Sequence, residues 1–172
     1  MQAIELIREQ FEDELNATRK VLARVPEDKL DYKPHEKSMT LGRLAGHTAE
    51  LLEWAIVTID QDGYDMAPGG VQSFIPYQVT TTQALLDYFD EKAAATRARL
   101  ATLEDDRLEI PWTLMRSGTP MFILPRWKVL ASFNLSHMVH HRAQLGVYLR
   151  LNNIPIPGVY GPSQDDMDAM AK

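Results

Sequence analysis

The sequence predicts an all-α fold, a four-helix bundle with long crossover loops and a short β-hairpin before the last helix. Three observations lead to this prediction. Four long segments repeat their apolar residues at helical spacing, stretches with proline and glycine separate them, and one short region alternates apolar and polar residues as a strand does. With 172 residues and 45% hydrophobic content, the chain can bury a core without disulfides. We therefore expect one domain over residues 1–172.

The first two predicted helices have apolar stripes typical of helices that face a core. The first helix begins at about Gln2 and ends at about Arg24, and its stripe is Ile4, Ile7, Phe11, Leu15 and Leu22. A polar connection over 25–39, which contains two prolines, is expected to cap one end of the bundle. Thr40 is the predicted N-cap of the second helix, and its stripe includes a histidine: Leu41, Leu44, His47, Leu51, Ala55 and Ile59.

An irregular crossover precedes the third predicted helix. The crossover, 61–79, contains three glycines and two prolines. Thr80 and Gln83 form a capping-box pattern, and the helical stripe that follows is Leu85, Phe89, Ala93, Thr96, Leu100 and Leu103. Between residues 107 and 125 the apolar period shortens to two on either side of Ser117-Gly118, which predicts a hairpin.

The last predicted helix begins near Pro125, because proline is favoured at the first helical position, and ends at about Asn152. Prolines at 155 and 157 prevent its continuation. The remaining tail, 153–172, is expected to be mostly loop with a terminal turn.

Composition excludes several classes of protein. The net charge of −6 and the scattered Lys and Arg residues argue against a nucleic-acid binder. Acidic residues interrupt the first segment and no run approaches 18 apolar residues, so we expect neither a signal peptide nor a membrane span. The chain has no cysteine, so any metal must bind nitrogen or oxygen. We predict a cytoplasmic protein with no nucleic-acid or membrane partner.

Three histidines within the predicted apolar stripes indicate a metal site. His137 and His141 are four residues apart on the last helix, so their side chains share one face, and His47 lies on the second helix. A lone histidine on such a face is more often a hydrogen-bonded core residue. Three neutral imidazoles, each costing about 1–3 kcal/mol if buried unpaired, favour a common ligand. The set suits one Zn²⁺, Ni²⁺ or other late first-row divalent ion per chain and leaves at least one coordination position open.

Other polar residues near these histidines are weaker candidates. Glu50 follows His47 by three residues and could orient an imidazole or act as a base, but we favour a solvated face shared with Glu53. Asn134 and Gln144 flank the histidine pair and could bind a ligand or stabilise helix packing. The side chain of His140 is expected to point away from the helix face that carries His137 and His141, either behind the metal site or at the surface. Trp54 and Tyr148 are expected to be core residues, and His35 in the first connection receives no role.

The sequence resembles the DinB/YfiT-like family of bacterial metalloenzymes over nearly its whole length. The resemblance rests on three runs of sequence: LAGH at 44–47, HMVHHRAQL at 137–145 and IPIPGVYGPS at 154–163. It implies that His47, His137 and His141 bind a divalent ion, often nickel or zinc, and that homodimers form. Relatives include transferases and isomerases that depend on bacillithiol or mycothiol. Ala143 departs from the family pattern, which often has glycine there.

Several functions remain open from the sequence. The leading one is a metal-dependent transferase that joins a low-molecular-weight thiol to a small electrophilic substrate. A metal-dependent hydrolase is the close alternative, and a non-catalytic metal-binding protein of stress responses is another. A metal-free helical dimer with hydrogen-bonded histidines would be the simplest outcome. The sequence has no Gly-x-Ser-x-Gly, phosphate-loop, dinucleotide or His-Glu-x-x-His motif, so any catalysis would depend on the metal.

Overall fold

A computed structural model describes residues 2–171, and the chain is mostly helical with one small three-stranded sheet. The long helices confirm the predicted segments. The helices in chain order are α1 (Ala3–Leu22), α2 (Leu41–Asp60), α3 (Thr82–Thr102), α4 (Asp105–Leu108), α5 (Arg126–Lys128), α6 (His137–Leu151) and α7 (Gln164–Met170). Short 3₁₀ turns cover Glu27–Lys29 and Pro68–Gly70.

The main core lies between the long helices. α1 packs against α3 and α6, and α2 packs against the same two helices. Each apolar stripe in the sequence contributes fully buried side chains, among them Phe11 of α1, Leu44 of α2, Phe89 of α3 and Leu145 of α6. Burying side chains of this size contributes about 1.5–3 kcal/mol each.

The caps of α2 and α3 are formed by threonines, one predicted correctly and one not. Thr40 is the N-cap of α2, and its side chain accepts a hydrogen bond from the Arg43 backbone N–H. The predicted capping box of Thr80 and Gln83 is wrong. Thr81 is the N-cap of α3 and accepts from the backbone N–H of Ala84, whose side chain has no group to return the bond.

The hairpin predicted before the last helix is confirmed. Strands β2 (Pro111–Arg116) and β3 (Thr119–Pro125) are antiparallel. Ser117 and Gly118 form the turn, and both have positive φ, of 51° and 76°. Trp112 and Leu114 of β2 pack in a second, smaller core beside the last helix.

The third strand of the sheet was not predicted from sequence. β1 (Gly63–Asp65) lies in the crossover and pairs in parallel with β2. The Asp65 carboxylate holds the sheet to the hairpin turn, because it accepts hydrogen bonds from the backbone N–H groups of Ser117 and Gly118. Three residues are too short for a periodic pattern, so only pairing with β2 defines this strand.

The last helix begins with α5, continues as a π-helix over Val129–Ser136 and ends as α6. The prediction that this helix begins near Pro125 is confirmed: Arg126 is its first residue, and Pro125, which is extended and ends β3, is its N-cap instead of its first helical position. Within the π-helix, Asn134 Nδ2 donates to the Val129 carbonyl and Ser136 Oγ donates to the Ala131 carbonyl. Both side-chain bonds reach back five residues, the spacing that backbone hydrogen bonds have in a π-helix. The π-helix ends directly before His137.

A buried arginine at the start of the last helix joins it to the end of α2 and to α4. The Arg126 guanidinium is fully buried and donates to the backbone carbonyls of Thr58, Gln61 and Arg107 at 2.9, 3.1 and 3.0 Å. It also pairs with the Asp62 carboxylate. These contacts satisfy carbonyls at the end of α2 that have no partner within the helix.

The replacement Arg126→Met should lower the free energy of unfolding by about 3 kcal/mol, because buried carbonyls lose their donors. Urea denaturation measures this change. The matched control is Arg150→Met, since the Arg150–Asp165 pair is half-exposed, screened by solvent, and should contribute far less to stability. Equal effects of both replacements would contradict the structural role of Arg126.

Across residues 2–171, no helix combines the length and the apolarity that a membrane crossing requires.

Candidate metal centre

The three predicted histidines lie together between α2 and α6. The ring centroid of His47 lies 5.3 Å from that of His137 and 4.6 Å from that of His141, while the centroids of His137 and His141 are 4.7 Å apart. Their candidate ligand nitrogens all lie within 4.8 Å of one another. His141 is buried, while His47 and His137 are half-buried. The group could hold one metal ion.

Each imidazole has a second contact that fixes its ring. His141 Nδ1 lies 2.8 Å from Gln144 Oε1, and His137 has a hydrogen bond to the backbone of Phe133. His47 Nδ1 lies 3.3 Å from Glu50 Oε2. An oxygen that accepts from Nδ1–H leaves the Nε2 lone pair free for a metal, the arrangement that metal-binding histidines usually have.

Glu50 is fully buried, so the preferred interpretation of a solvated side chain is wrong for this residue. Its Oε2 accepts from Arg43 at 2.9 Å, and its Oε1 accepts from the Tyr77 backbone N–H. Burial raises the pKa of Glu50, but the hydrogen bonds from His47, Arg43 and Tyr77 outweigh it and hold this pKa below its ordinary value. Glu53 differs, with 37% of its side chain exposed.

Sequence reasoning missed Arg43 and Tyr77. Arg43 lies four residues before His47 and seven before Glu50, and this spacing on one helix face could have indicated the contact. Tyr77 lies in the irregular crossover, where no periodicity places a backbone N–H. The crossover approaches α2 closely at Gly46, where an added Cβ would lie 3.0 Å from the Tyr77 carbonyl oxygen. Glycine at position 46 therefore allows this contact.

The donor set fits a divalent ion. His137 Nε2 and His141 Nε2 lie 2.9 Å apart. When an ion lies about 2.0–2.1 Å from each of two ligand nitrogens, the two nitrogens are roughly 3.3 Å apart in tetrahedral geometry. They are roughly 3.0 Å apart when the angle at the ion is a right angle. Small rotations of the rings satisfy either arrangement. Three neutral nitrogen donors suit a late first-row metal such as zinc or nickel.

The protonation of the histidines also favours metal binding near neutral pH. Burial lowers the pKa of His141 to about 4, an effect that the hydrogen bond to Gln144 opposes and the neighbouring histidines reinforce. Burial lowers the pKa of His137 as well, and His47 adds to this shift. Both imidazoles are therefore neutral at pH 7, the form in which they bind metals.

We expect the metal-free protein to lose stability as the pH falls from 6.5 to about 4. In this window unfolded His141, with its ordinary pKa of 6.5, binds a proton that folded His141 does not. At about 1.4 kcal/mol per pKa unit, His141 alone lowers the free energy of unfolding by roughly 3 kcal/mol. Urea denaturation at pH 7 and pH 4.5 measures the loss. A His141→Gln variant should show a shallower pH dependence, and an equally steep one would contradict this assignment.

The other predicted residues lie outside the histidine group. His140 is exposed, as the surface interpretation predicts, and so is His35. Asn134 is buried and donates to Thr58 Oγ1 and to the backbone, which is a packing role. Trp54 and Tyr148 are half-buried against the core, as predicted.

The chain is similar in sequence and in fold to known proteins. The model of the DinB family matches residues 1–171. The uncharacterized protein YrdA of Bacillus subtilis is 27% identical over 171 residues, which cover 96% of this chain and 92% of YrdA. The crystal structure of a DinB-like protein from Bacillus cereus ATCC 10987 gives a TM-score of 0.68 at 22% identity, covering 92% of this chain and 99% of that protein.

A second crystal structure, that of the DinB-like protein YjoA from Bacillus subtilis, has a TM-score of 0.65 at 18% identity. The match covers 90% of this chain and 96% of YjoA. The two structures share the fold with this chain, and the family model extends over all but its last residue. The chain belongs to the DinB family.

Proposed function

We propose that the protein is a divalent-metal-dependent enzyme in which His47, His137 and His141 hold one zinc or nickel ion and leave a coordination position open. The observation that supports this best is the convergence of three imidazoles, each of which is oriented by a separate hydrogen bond. A structural site usually closes its coordination sphere with four protein ligands, whereas three ligands are typical of catalytic sites.

The reaction that we propose is the transfer of a low-molecular-weight thiol to a small electrophile. A bound divalent ion would lower the pKa of the thiol and hold its thiolate for attack. The protein's own groups keep the imidazoles in place: Gln144 orients His141 and Glu50 orients His47. Both oxygens of Glu50 already accept hydrogen bonds, so Glu50 is a positioning residue and not a proton acceptor. This favours chemistry in which the nucleophile is activated by the metal.

The proposal also includes the fold description, the oligomeric state and the location of the protein. The packing of α1 and α2 against both α3 and α6 supports the description of the fold as a four-helix bundle. Exposed Val147 and Leu151 on α6 are compatible with a homodimer, which light scattering on the purified protein tests. A cytoplasmic location agrees with a thiol substrate, because thiols are kept reduced there.

A thiol-dependence assay tests the proposed reaction. The zinc- or nickel-loaded protein is incubated with an electrophile such as 1-chloro-2,4-dinitrobenzene, with and without bacillithiol or mycothiol. We expect saturable turnover only when a thiol is present, and none in the matched His141→Ala variant. Turnover of ester or amide substrates without thiol would instead support the alternative, a metal-dependent hydrolase. A metal-loaded protein inactive in both assays would support a non-catalytic metal-binding protein.

A further inference from the structure

A small cage of aromatic side chains lies one aromatic ring away from the histidines. Trp54 of α2, Tyr64 of β1 and Phe74 of the crossover line a cavity of about 80 Å³, together with Val57 and Glu53. We call this set the aromatic cage. The Trp54 and Tyr64 centroids are 5.2 Å apart at 77°, and the Trp54 and Phe74 centroids are 6.4 Å apart at 40°. The rings therefore form walls at steep angles instead of a flat stack.

The cage is held in shape by elements outside it. Tyr64 lies on β1, which pairs with β2, and a hydrogen bond of 2.8 Å joins its hydroxyl to Ser73 Oγ. Ser73 immediately precedes Phe74, so the same bond positions the third wall. All three aromatic side chains are half-buried, which leaves part of each ring open to a ligand.

The cage adjoins the candidate metal centre through Phe133. The centroid of Phe133 lies 5.6 Å from that of Trp54 and 5.8 Å from that of His137. A single aromatic ring, that of Phe133, therefore separates the cage from the histidines. The cavity is smaller than the roughly 300–1,000 Å³ of a drug-sized ligand site, so it suits a head group and not a whole substrate.

The charges around the cage favour a cation. Lys92 lies 3.1 Å from Glu53 and 3.2 Å from Glu91, so two carboxylates surround one ammonium and the cluster has a net charge of −1. Among the residues that the structure describes, the two cation–π contacts are Lys92 over Tyr88 and Arg142 over Tyr160. The rings of the cage are thus available for a cation from outside the chain. Aromatic faces attract cations, and cages of several rings are used to bind methylated ammonium groups.

From this geometry we propose that the aromatic cage binds the methylated ammonium group of a small organic cation. A methylated ammonium combines an apolar surface, which the rings and Val57 cover, with a charge that the Glu53 carboxylate and the ring faces stabilise. The placement of this subsite beside a reaction centre rests on the proposed function. The binding itself does not, because none of the residues of the cage belongs to the histidine group.

Binding of choline, compared with its neutral carbon isostere 3,3-dimethylbutan-1-ol, tests the proposal. Both ligands are followed by the NMR signal of their methyl groups as protein is added. A cation–π site should bind choline at least about fivefold more tightly than the isostere. The replacements Trp54→Leu and Phe74→Ala should each weaken choline binding by at least about fivefold, while Trp127→Leu, at an exposed tryptophan elsewhere, should have no effect.

Three results would overturn the proposal. Equal or tighter binding of the isostere would show a plain apolar pocket. No detectable choline binding by the wild-type protein would show that the cage takes no such cation, and unchanged choline binding by both cage variants would place the site elsewhere. Phe74→Ala changes an irregular segment, so it provides a test if Trp54→Leu does not fold.

The His141→Ala variant separates this proposal from the proposed function. It should lose metal and keep choline binding. Choline binding by a wild-type protein that takes up no metal would support the cage while contradicting the metal enzyme, and metal uptake without choline binding would contradict the cage alone.

Discussion

Replacing His141 with alanine should lower the Zn²⁺ affinity of the protein by more than about 100-fold. Removing a group that merely orients a metal ligand typically costs about 10–100-fold, and loss of the ligand itself should cost more. His141 has the most buried ring of the three histidines, and its Nε2 lies 2.9 Å from that of His137. Competition with a chromophoric chelator measures the affinity.

The neighbouring histidine provides the matched control. His140 is exposed, its ring centroid lies 4.9 Å from that of His141, and it is absent from the candidate ligand set. The replacement His140→Ala should change the Zn²⁺ affinity by less than about threefold, as expected for a residue outside the coordination sphere. Similar losses of Zn²⁺ affinity in His141→Ala and His140→Ala would mean that the ion is not held by the three proposed histidines.

Replacing Glu50 with alanine should lower the free energy of unfolding by about 3 kcal/mol. The buried carboxylate accepts hydrogen bonds from Arg43 and from the Tyr77 backbone, and removing one partner of such a buried pair leaves the other uncompensated. The partial exposure of Arg43, at 28% of its side chain, keeps the loss at the lower end of the range for buried pairs. Urea denaturation of the metal-free protein measures the effect without the contribution of a ligand.

Glu53→Ala is the control, because Glu53 is the next carboxylate on α2 and is 37% exposed. It should cost less than about 1 kcal/mol. A further variant, Glu50→Gln, keeps the shape of the side chain but replaces one acceptor oxygen with an amide N–H₂ group, which meets a donor at either oxygen position, Arg43 or the Tyr77 backbone N–H. It should lower the Zn²⁺ affinity by about 10–100-fold. A stable Glu50→Ala protein with unchanged metal affinity would contradict the positioning role of Glu50.

The residues that could be predicted from sequence are those whose environment follows from a periodic pattern. The helical stripes predict buried Phe11, Leu44 and Phe89, and these side chains are buried. The same periodicity predicts that His47 and the pair His137 and His141 face a common core, and the structure brings them together. The turn-prone Ser117-Gly118 predicts the hairpin because glycine readily adopts the positive φ that a two-residue hairpin turn requires.

The features that could not be predicted depend on contacts between distant segments. Glu50 is buried because the crossover lies over α2 and supplies the Tyr77 N–H, whereas intrinsic preferences place a glutamate in water. The strand β1 exists only through its pairing with β2. The π-helix before His137 is defined by backbone hydrogen bonds that reach back five residues, a local change of register that the apolar pattern does not reveal.

The most direct test of the metal site is the metal content of the untagged protein, purified without chelator and measured by elemental analysis. The wild-type protein should contain about one zinc or nickel ion per chain. The His47→Ala and His141→Ala variants should contain almost none, although circular dichroism should show that both are folded. A wild-type protein that takes up neither metal, even after reconstitution, would contradict the three-histidine site. Variants that retain a full ion would contradict it equally.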